Sequence, residues 1–238
     1  MTEWFEEWFG EEYLQLYPHR DDADADAVVG LIQRVVPWRP GLKVLDVGCG
    51  AGRHARALAT TGARVFGLDL SMSLLRRAQS MTRAPLIRAD MRNLPVRPAS
   101  MDLTVNLFTS FGYFSNDDQH DQALKGMLDT VRPGGWFVMD FLNAETVARS
   151  LVPQETVSLG GGTARVTRRL SSEGEYVVKV IETVEGRRFM ERVRLLPPPI
   201  LSGMIERGGG EITARYGSYD GLPLAASSPR CILIARKV

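Results

Sequence analysis

Between residues 43 and 141, short continuous apolar runs alternate with stretches whose apolar positions recur every three to four residues. The runs 44–47, 65–68, 86–89, 103–107 and 136–141 predict five strands, and the stretches 53–60, 72–81 and 119–131 predict helices. Strands that are apolar throughout, rather than at every second position, are covered on both faces. Such strands separated by helices form a parallel sheet with right-handed crossovers, which is a doubly wound α/β architecture.

The pattern changes on both sides of this stretch. Trp4, Phe5, Trp8, Phe9, Tyr13, Leu14, Leu16 and Tyr17 fall at helical spacing among five glutamates, predicting an amphipathic helix over 3–17 with a broad aromatic face. That face either docks on the core or closes over a ligand cleft. Its polar side is acidic, which disfavours a membrane-surface helix. After Pro18 a second helix is predicted over 22–36, with Asp21 or Asp22 as its cap and Val28, Val29, Ile32, Val35 and Val36 as its buried stripe.

Beyond residue 150, segments 163–170, 176–184 and 187–195 alternate with period two. Turn signals stand at Gly160-Gly161-Gly162, Glu173-Gly174 and Glu185-Gly186. These predict an inserted antiparallel β meander of three or four strands. A short helix over 200–207 and strands at 211–216 and 231–236 follow. The loop-like stretch 219–229 leaves no room for a helix, so these last strands pair as an antiparallel hairpin. The organisation expected is a helical lid or cap over 1–40, a main domain over 41–150 and 196–238, and a β subdomain over 151–195.

With 238 residues, 44% of them hydrophobic, the chain has ample material for a core. A net charge of +1 gives no global field toward nucleic acid or an anionic membrane. Cys49 and Cys231 lie far apart, with no CxxC or His/Cys cluster, so neither a disulfide framework nor a metal site is expected. No apolar run reaches the ~18 residues needed to cross a bilayer. The acidic, aromatic start does not match a secretory signal. A cytoplasmic location is expected.

Candidate chemistry begins at Val44-Leu45-Asp46-Val47-Gly48-Cys49-Gly50-Ala51-Gly52-Arg53-His54. A buried strand enters a glycine turn and leaves into a helix, and the glycines let the backbone adopt φ > 0 and approach a ligand closely. Dinucleotide sites use a similar loop, but three details differ. Asp46 puts a carboxylate at the strand end, which suits a cationic ligand and suits a pyrophosphate poorly. The last glycine of G-x-G-x-x-G would fall on Arg53. The sheet closes with an antiparallel hairpin. Asp69 and Asp90 end the next two strands, so acidic residues stand at three neighbouring strand ends, on the edge where doubly wound folds bind ligands. Each of Asp69 and Asp90 taken alone also suits a helix cap.

The stretch 44–54 resembles motif I of the class I methyltransferases, (D/E)-x-G-x-G-x-G. Phe66-Gly67-Leu68-Asp69-Leu70-Ser71, Ala89-Asp90-Met91, Met101-Asp102-Leu103 to Phe108, and Val131-Arg132-Pro133-Gly134-Gly135-Trp136 match later elements of that family. The resemblance covers roughly 40–145 and extends to the terminal hairpin. It implies a seven-stranded sheet of order 3-2-1-4-5-7-6 with strand seven antiparallel, S-adenosyl-L-methionine as cofactor, and methyl transfer by in-line displacement. It places Asp69 on the ribose hydroxyls and Asp90 on the adenine amine. The cofactor-binding set it implies is Asp46, Gly48, Cys49, Gly50, Gly52, Asp69, Leu70, Met72, Ala89, Asp90, Met91, Asn106, Leu107 and Phe108, with Tyr17 and Arg20.

The segment 106–114 lacks the prolines of the (D/N)-P-P-(Y/F) element found in many amino-methylating nucleic-acid enzymes. It resembles instead a bacterial subgroup of small-molecule-type methyltransferases, as does Leu16-Tyr17-Pro18-His19-Arg20-Asp21. By that resemblance Tyr13, Tyr17, His19 and Arg20 fold over the cofactor, with Arg20 on its carboxylate. Phe108, Phe111 and Tyr113 are candidates for cation–π contact with the methyl group. Tyr17, His19, Tyr113 and Asp140 are candidate general bases, while His54 and His120 read as structural or surface residues.

On the meander, Arg165, Arg168, Arg169, Arg187, Arg188, Arg192 and Arg194 stand among glutamates. They form either a salt-bridged solvent face, a contact for an anionic acceptor, or a homodimer interface. The function expected is methyl transfer to a small-molecule acceptor. A protein or RNA acceptor, a nicotinamide-dependent oxidoreductase and a non-catalytic S-adenosylmethionine-binding protein are the alternatives.

Overall fold

Two sheets organise the chain. The computed structural model describes residues 3–10, 13, 22–159 and 162–238. The larger sheet contains β1 (Lys43–Val47), β2 (Arg64–Asp69), β3 (Leu86–Arg88), β4 (Met101–Asn106), β5 (Val131–Leu142), β10 (Gly210–Tyr216) and β11 (Arg230–Lys237). Its order is β10-β11-β5-β4-β1-β2-β3, and β11 runs antiparallel to both neighbours. The expected order 3-2-1-4-5-7-6 is therefore found, with β10 and β11 as strands six and seven.

Helices cover both faces. On one, α2 (Asp22–Val35) and α3 (Arg53–Thr60) pack through Val28, Ile32, Ala55 and Leu58 against Val44, Val105 and Val138 of the strands. On the other, α5 (Asp117–Thr130) and α7 (Pro198–Arg207) bury Leu124, Met127, Leu201 and Ile205 against Leu45, Phe137 and Leu233. Next to α3 lies α4 (Met72–Met81), capped by Ser71, whose hydroxyl accepts the Leu74 N–H at 3.1 Å.

The second sheet is the meander β6 (Gln154–Leu159), β7 (Gly162–Leu170), β8 (Tyr176–Thr183) and β9 (Arg188–Arg194), antiparallel throughout. It has four strands, the upper of the two numbers expected. The β6–β7 turn includes Gly160 and Gly161, which lie outside the described residues.

The elements differ from expectation at several points. The helix expected over 3–17 is interrupted: α1 (Trp4–Trp8) stops because Phe9 leaves the helical region at φ −77°, ψ 63° and Gly10 follows in a bend, Tyr13 is helical again, and 11–12 and 14–17 lie outside the described residues. A seven-residue helix, α6 (Ala144–Ser150), follows β5, capped by the Asn143 side chain accepting the Glu145 N–H at 3.2 Å. Strand β5 already begins at Val131, and its register against β4 shifts between Met101 and Leu103.

Candidate active site

At the carboxyl ends of β1, β2, β3 and β4 lies a cavity of about 990 Å³. Its floor is the glycine turn. Gly48, Gly50 and Gly52 have φ of +74°, +53° and +87°, a left-handed sequence that only glycine adopts without strain. At Gly48 a Cβ would stand 2.7 Å from Ser110, so the turn and the loop after β4 touch main chain to side chain.

Asp69 lines the cavity. Its oxygens accept the Gly50 N–H and the Ser71 N–H, each at 2.8 Å, so this one carboxylate ties the glycine turn to the start of α4. Burial raises its pKa against these backbone hydrogen bonds. Asp90 lines the same wall, but Arg92 grips both its oxygens and donates its own N–H at 2.8 Å. Burial opposes ionisation of Asp90, yet the Arg92 hydrogen bonds outweigh it and hold the carboxyl below its usual range.

Gly48, Cys49, Gly50, Leu70, Met72, Ala89, Met91, Leu107, Phe108 and Tyr113 also line the cavity, as their motif positions imply. Asp46, Gly52 and Asn106 stand behind the wall instead. In β1 the side chain of Asp46 falls on the same side as that of Val44, beneath α3, and is only 1% exposed. Burial together with neighbouring Asp69 pushes its pKa up to about 7 against the pull of Arg53 and the Ala55 N–H. Gly52 packs on α4, where a Cβ would meet that of Ala78 at 2.9 Å. Asn106 is fully buried and donates Nδ2 to the Val47 carbonyl at 2.9 Å.

Aromatic residues close the cavity from above. Phe5, Phe9 and Tyr13 line it, and Trp4 and Phe9 stand 5.4 and 5.3 Å from Tyr113. Ser71 donates its hydroxyl to the Phe9 carbonyl. On its outer side α1 meets the meander: Trp8 packs against Phe189 with ring centroids 4.6 Å apart and planes tilted by 42°, and donates its indole N–H to Glu191 at 2.7 Å. The aromatic residues of the segment 4–13 thus reach both the core and the cavity.

Several expected site residues are placed elsewhere. Phe111 is fully buried in the core and does not line the cavity. Asp140 is fully buried, with its oxygens taken by Phe108, Tyr219 and Arg230, which removes it as a general base. Tyr113 donates its hydroxyl to the Thr109 carbonyl at 2.5 Å. Tyr17, His19 and Arg20 lie outside the described residues.

The meander arginines do not line the cavity. Arg168 pairs with Glu155, Arg188 with Glu182 at 3.6 Å, and Arg194 with Asp117 at 2.9 Å, while Arg192 lies 3.6 Å over Tyr176. Sequence reasoning missed Arg53, His54, Arg88, Ser110 and Phe114, all of which line the cavity. For Arg53 and His54 the signal was present, since they open the helix that leaves the glycine turn.

No helix among the described residues is long and apolar enough to cross a membrane. Among them, no group of three or more His, Cys, Asp or Glu side chains is arranged to hold a metal ion.

Comparison with known proteins adds the following. Residues 44–135 match the family described as a methyltransferase domain. A malonyl-(acyl-carrier protein) O-methyltransferase from Pseudescherichia vulneris is 41% identical over 196 residues, 82% of this chain and 74% of that one. Among solved structures, the CcbJ methyltransferase of Streptomyces caelestis superposes with a TM-score of 0.80 at 20% identity, over 98% of this chain and 99% of that one. CalS10 from Micromonospora echinaspora, an amino pentose methyltransferase with S-adenosylmethionine bound, gives a TM-score of 0.62 at 22% identity, over 92% and 91% of the two chains.

Proposed function

Because the chain belongs to the class I S-adenosylmethionine-dependent methyltransferases, we propose that the cavity over the glycine turn holds the methyl donor and a small acceptor side by side. At about 990 Å³ it lies at the upper end of the ~300–1,000 Å³ usual for ligand sites, which leaves room for two molecules. The observation that carries the assignment is a cavity floored by the left-handed turn Gly48 to Gly50 and walled by the carboxylates of Asp69 and Asp90. A buried carboxylate requires either a proton or a nearby cation. For Asp46 that cation is Arg53 at the start of α3, and a cationic donor above the glycine turn adds to it at longer range.

In this reading the methionine part of the donor lies over Gly48 to Gly50, and its ribose meets Asp69. Its adenine lies between Leu70 and the segment from Ala89 to Met91. Asp90 offers the adenine amine only the lone pairs that Arg92 leaves. When bound, S-adenosylmethionine supplies a methyl group already activated on a sulfonium. The work left to the chain is alignment in a dry site, which can supply ~7–11 kcal/mol. Phe5, Phe9, Tyr13 and Tyr113 exclude water from above. The ring of Phe108 already carries the guanidinium of Arg53 at 4.2 Å, so cation–π contact with the methyl group falls to Tyr113.

An anionic group on the acceptor would be met by Arg53, Arg77 or Arg88, the arginines that line the cavity, rather than by those of the meander. Buried, free Cys49 and Cys231 suit a reducing compartment such as the cytoplasm.

Calorimetry with S-adenosylmethionine, its demethylated product and NAD tests the assignment. The first two are expected to bind and NAD is not. Binding of NAD in their place would overturn it. Turnover of the donor against a panel of amines, carboxylic acids and amino sugars then identifies the acceptor, and binding without any turnover would favour a sensor.

A further inference from the structure

The backbone directly after β4 is strained. Phe108 and Thr109 are consecutive non-glycine residues at φ +56° and +61°. Side chains with a Cβ occupy that region at a cost, and they persist there only where the surroundings over-determine them.

Here the surroundings converge on one carboxylate. Asp140 of β5 is fully buried, accepts the Phe108 N–H on Oδ2 at 2.9 Å, and accepts the Thr109 N–H on its main-chain carbonyl at 3.0 Å. Arg230, the first residue of β11, donates Nε to Asp140 Oδ1 at 2.8 Å and Nη2 to Thr109 Oγ1 at 3.1 Å. Tyr219, from the loop between β10 and β11, donates its hydroxyl to Asp140 Oδ2 at 2.9 Å. None of these three residues lines the cavity.

The strained pair presents the Phe108 ring to the cavity. Arg53, the first residue of the helix leaving the glycine turn, stands 4.2 Å over that ring, and Arg230 stands 5.3 Å from it. Rotation of the backbone at Phe108 therefore moves both the ring and its contact with the glycine-turn end of the site. Stability alone is a poor account of the ion pair, because well-packed apolar residues often match or exceed a buried Asp–Arg pair. What apolar residues cannot supply is directed hydrogen bonding to a strained main chain.

We propose that Asp140, Arg230 and Tyr219 are positioning residues, a clasp that locks Phe108 against the glycine turn and so sets the methionine end of the donor site. This rests on the donor assignment above. Arg230→Lys keeps a charge beside Asp140 but lacks the fork that also reaches Thr109. It is expected to weaken calorimetric affinity for S-adenosylhomocysteine about tenfold. It is also expected to speed amide hydrogen exchange at Phe108 and Thr109 while β4 and β5 stay protected.

Phe108→Ala weakens affinity as well, and adding Arg230→Lys to it costs nothing further, because the clasp acts through the ring. Tyr219→Phe deletes one hydroxyl, gives a smaller change in the same direction, and serves if Arg230→Lys does not fold. Unchanged exchange at 108 and 109 in the folded variants, or additive losses in the double variant, overturns the proposal. Failure of the wild-type protein to bind S-adenosylhomocysteine sinks the donor assignment instead, and exchange at 108 and 109 still decides the clasp.

Discussion

Asp46 shows how burial changes what a side chain can do. Its pKa is about 7 in the folded chain and near 3.8 when exposed, so between those values the folded state binds the extra proton. The stability contributed is complete below about pH 4 and is lost as pH rises through 7. Asp46→Asn is therefore expected to raise the Tm of the ligand-free protein, more at pH 8 than at pH 5. For a chain of this size each kcal/mol corresponds to about 2–4 °C. The same substitution is expected to weaken donor binding at pH 8, and thermal melts paired with calorimetry read both effects. Equal melting of the two proteins at pH 8 would contradict a carboxylate that burial holds against ionisation.

Gly48 is the second residue whose substitution has a defined cost. With φ +74° and Ser110 2.7 Å from the position of a Cβ, Gly48→Ala is expected to destabilise by ~1–3 kcal/mol and to displace the loop after β4. Denaturant melts measure the first effect and loss of donor affinity the second. The need for glycine here was legible in the motif. The orientation of Asp46 was not: the sequence places a carboxylate near the strand end, while the pleat turns it under α3 rather than into the cavity.

At the scale of elements, α1 is only five residues long and is held by side-chain contacts of Trp4, Phe5 and Trp8. Trp8→Phe keeps the bulk against Phe189 and removes the N–H that Glu191 accepts, an expected cost of ~1–2 kcal/mol to the docking of α1. Faster amide exchange over residues 4–9, with β1, β4 and β5 unchanged, is the signature. Exchange that stays slow there would show that the indole hydrogen bond does not hold the helix. Aromatic periodicity revealed this helix but not its interruption, because spacing alone does not show that Phe9 and Gly10 break away. Seven-residue α6 escaped notice for the opposite reason, being too short for a periodic signal although Asn143 caps it. The parallel strands were legible because burial on both faces leaves an unbroken apolar run.

Over the whole molecule the meander acts as a brace. Its Arg194 N–H donates to the Gly112 carbonyl at 2.7 Å, Tyr176 donates to the Phe114 carbonyl at 3.4 Å, and Phe189 with Glu191 holds Trp8. Replacing residues 154–194 by a short linker is expected to leave the seven-stranded sheet folded but to abolish donor affinity, as followed by circular dichroism and calorimetry. Unchanged affinity in that variant would make the meander an ornament of the fold. By contrast, Arg165→Ala and Arg188→Ala are expected to change stability by less than ~0.5 kcal/mol and to leave turnover of an identified acceptor at the wild-type rate. A slowed turnover in either would restore the meander arginines as acceptor contacts.

The order of elements, the glycine turn and the carboxylates at three neighbouring strand ends follow from local pattern, since a strand buried on both faces, a left-handed turn and a strand end each leave a mark within a few residues. Which of those carboxylates faces the cavity, which cations pair with them, and how residues 5, 53 and 108 come to share one site depend on contacts between segments far apart in the chain. Those contacts arise only when the sheet twists and the helices pack, and no spacing along the sequence records them.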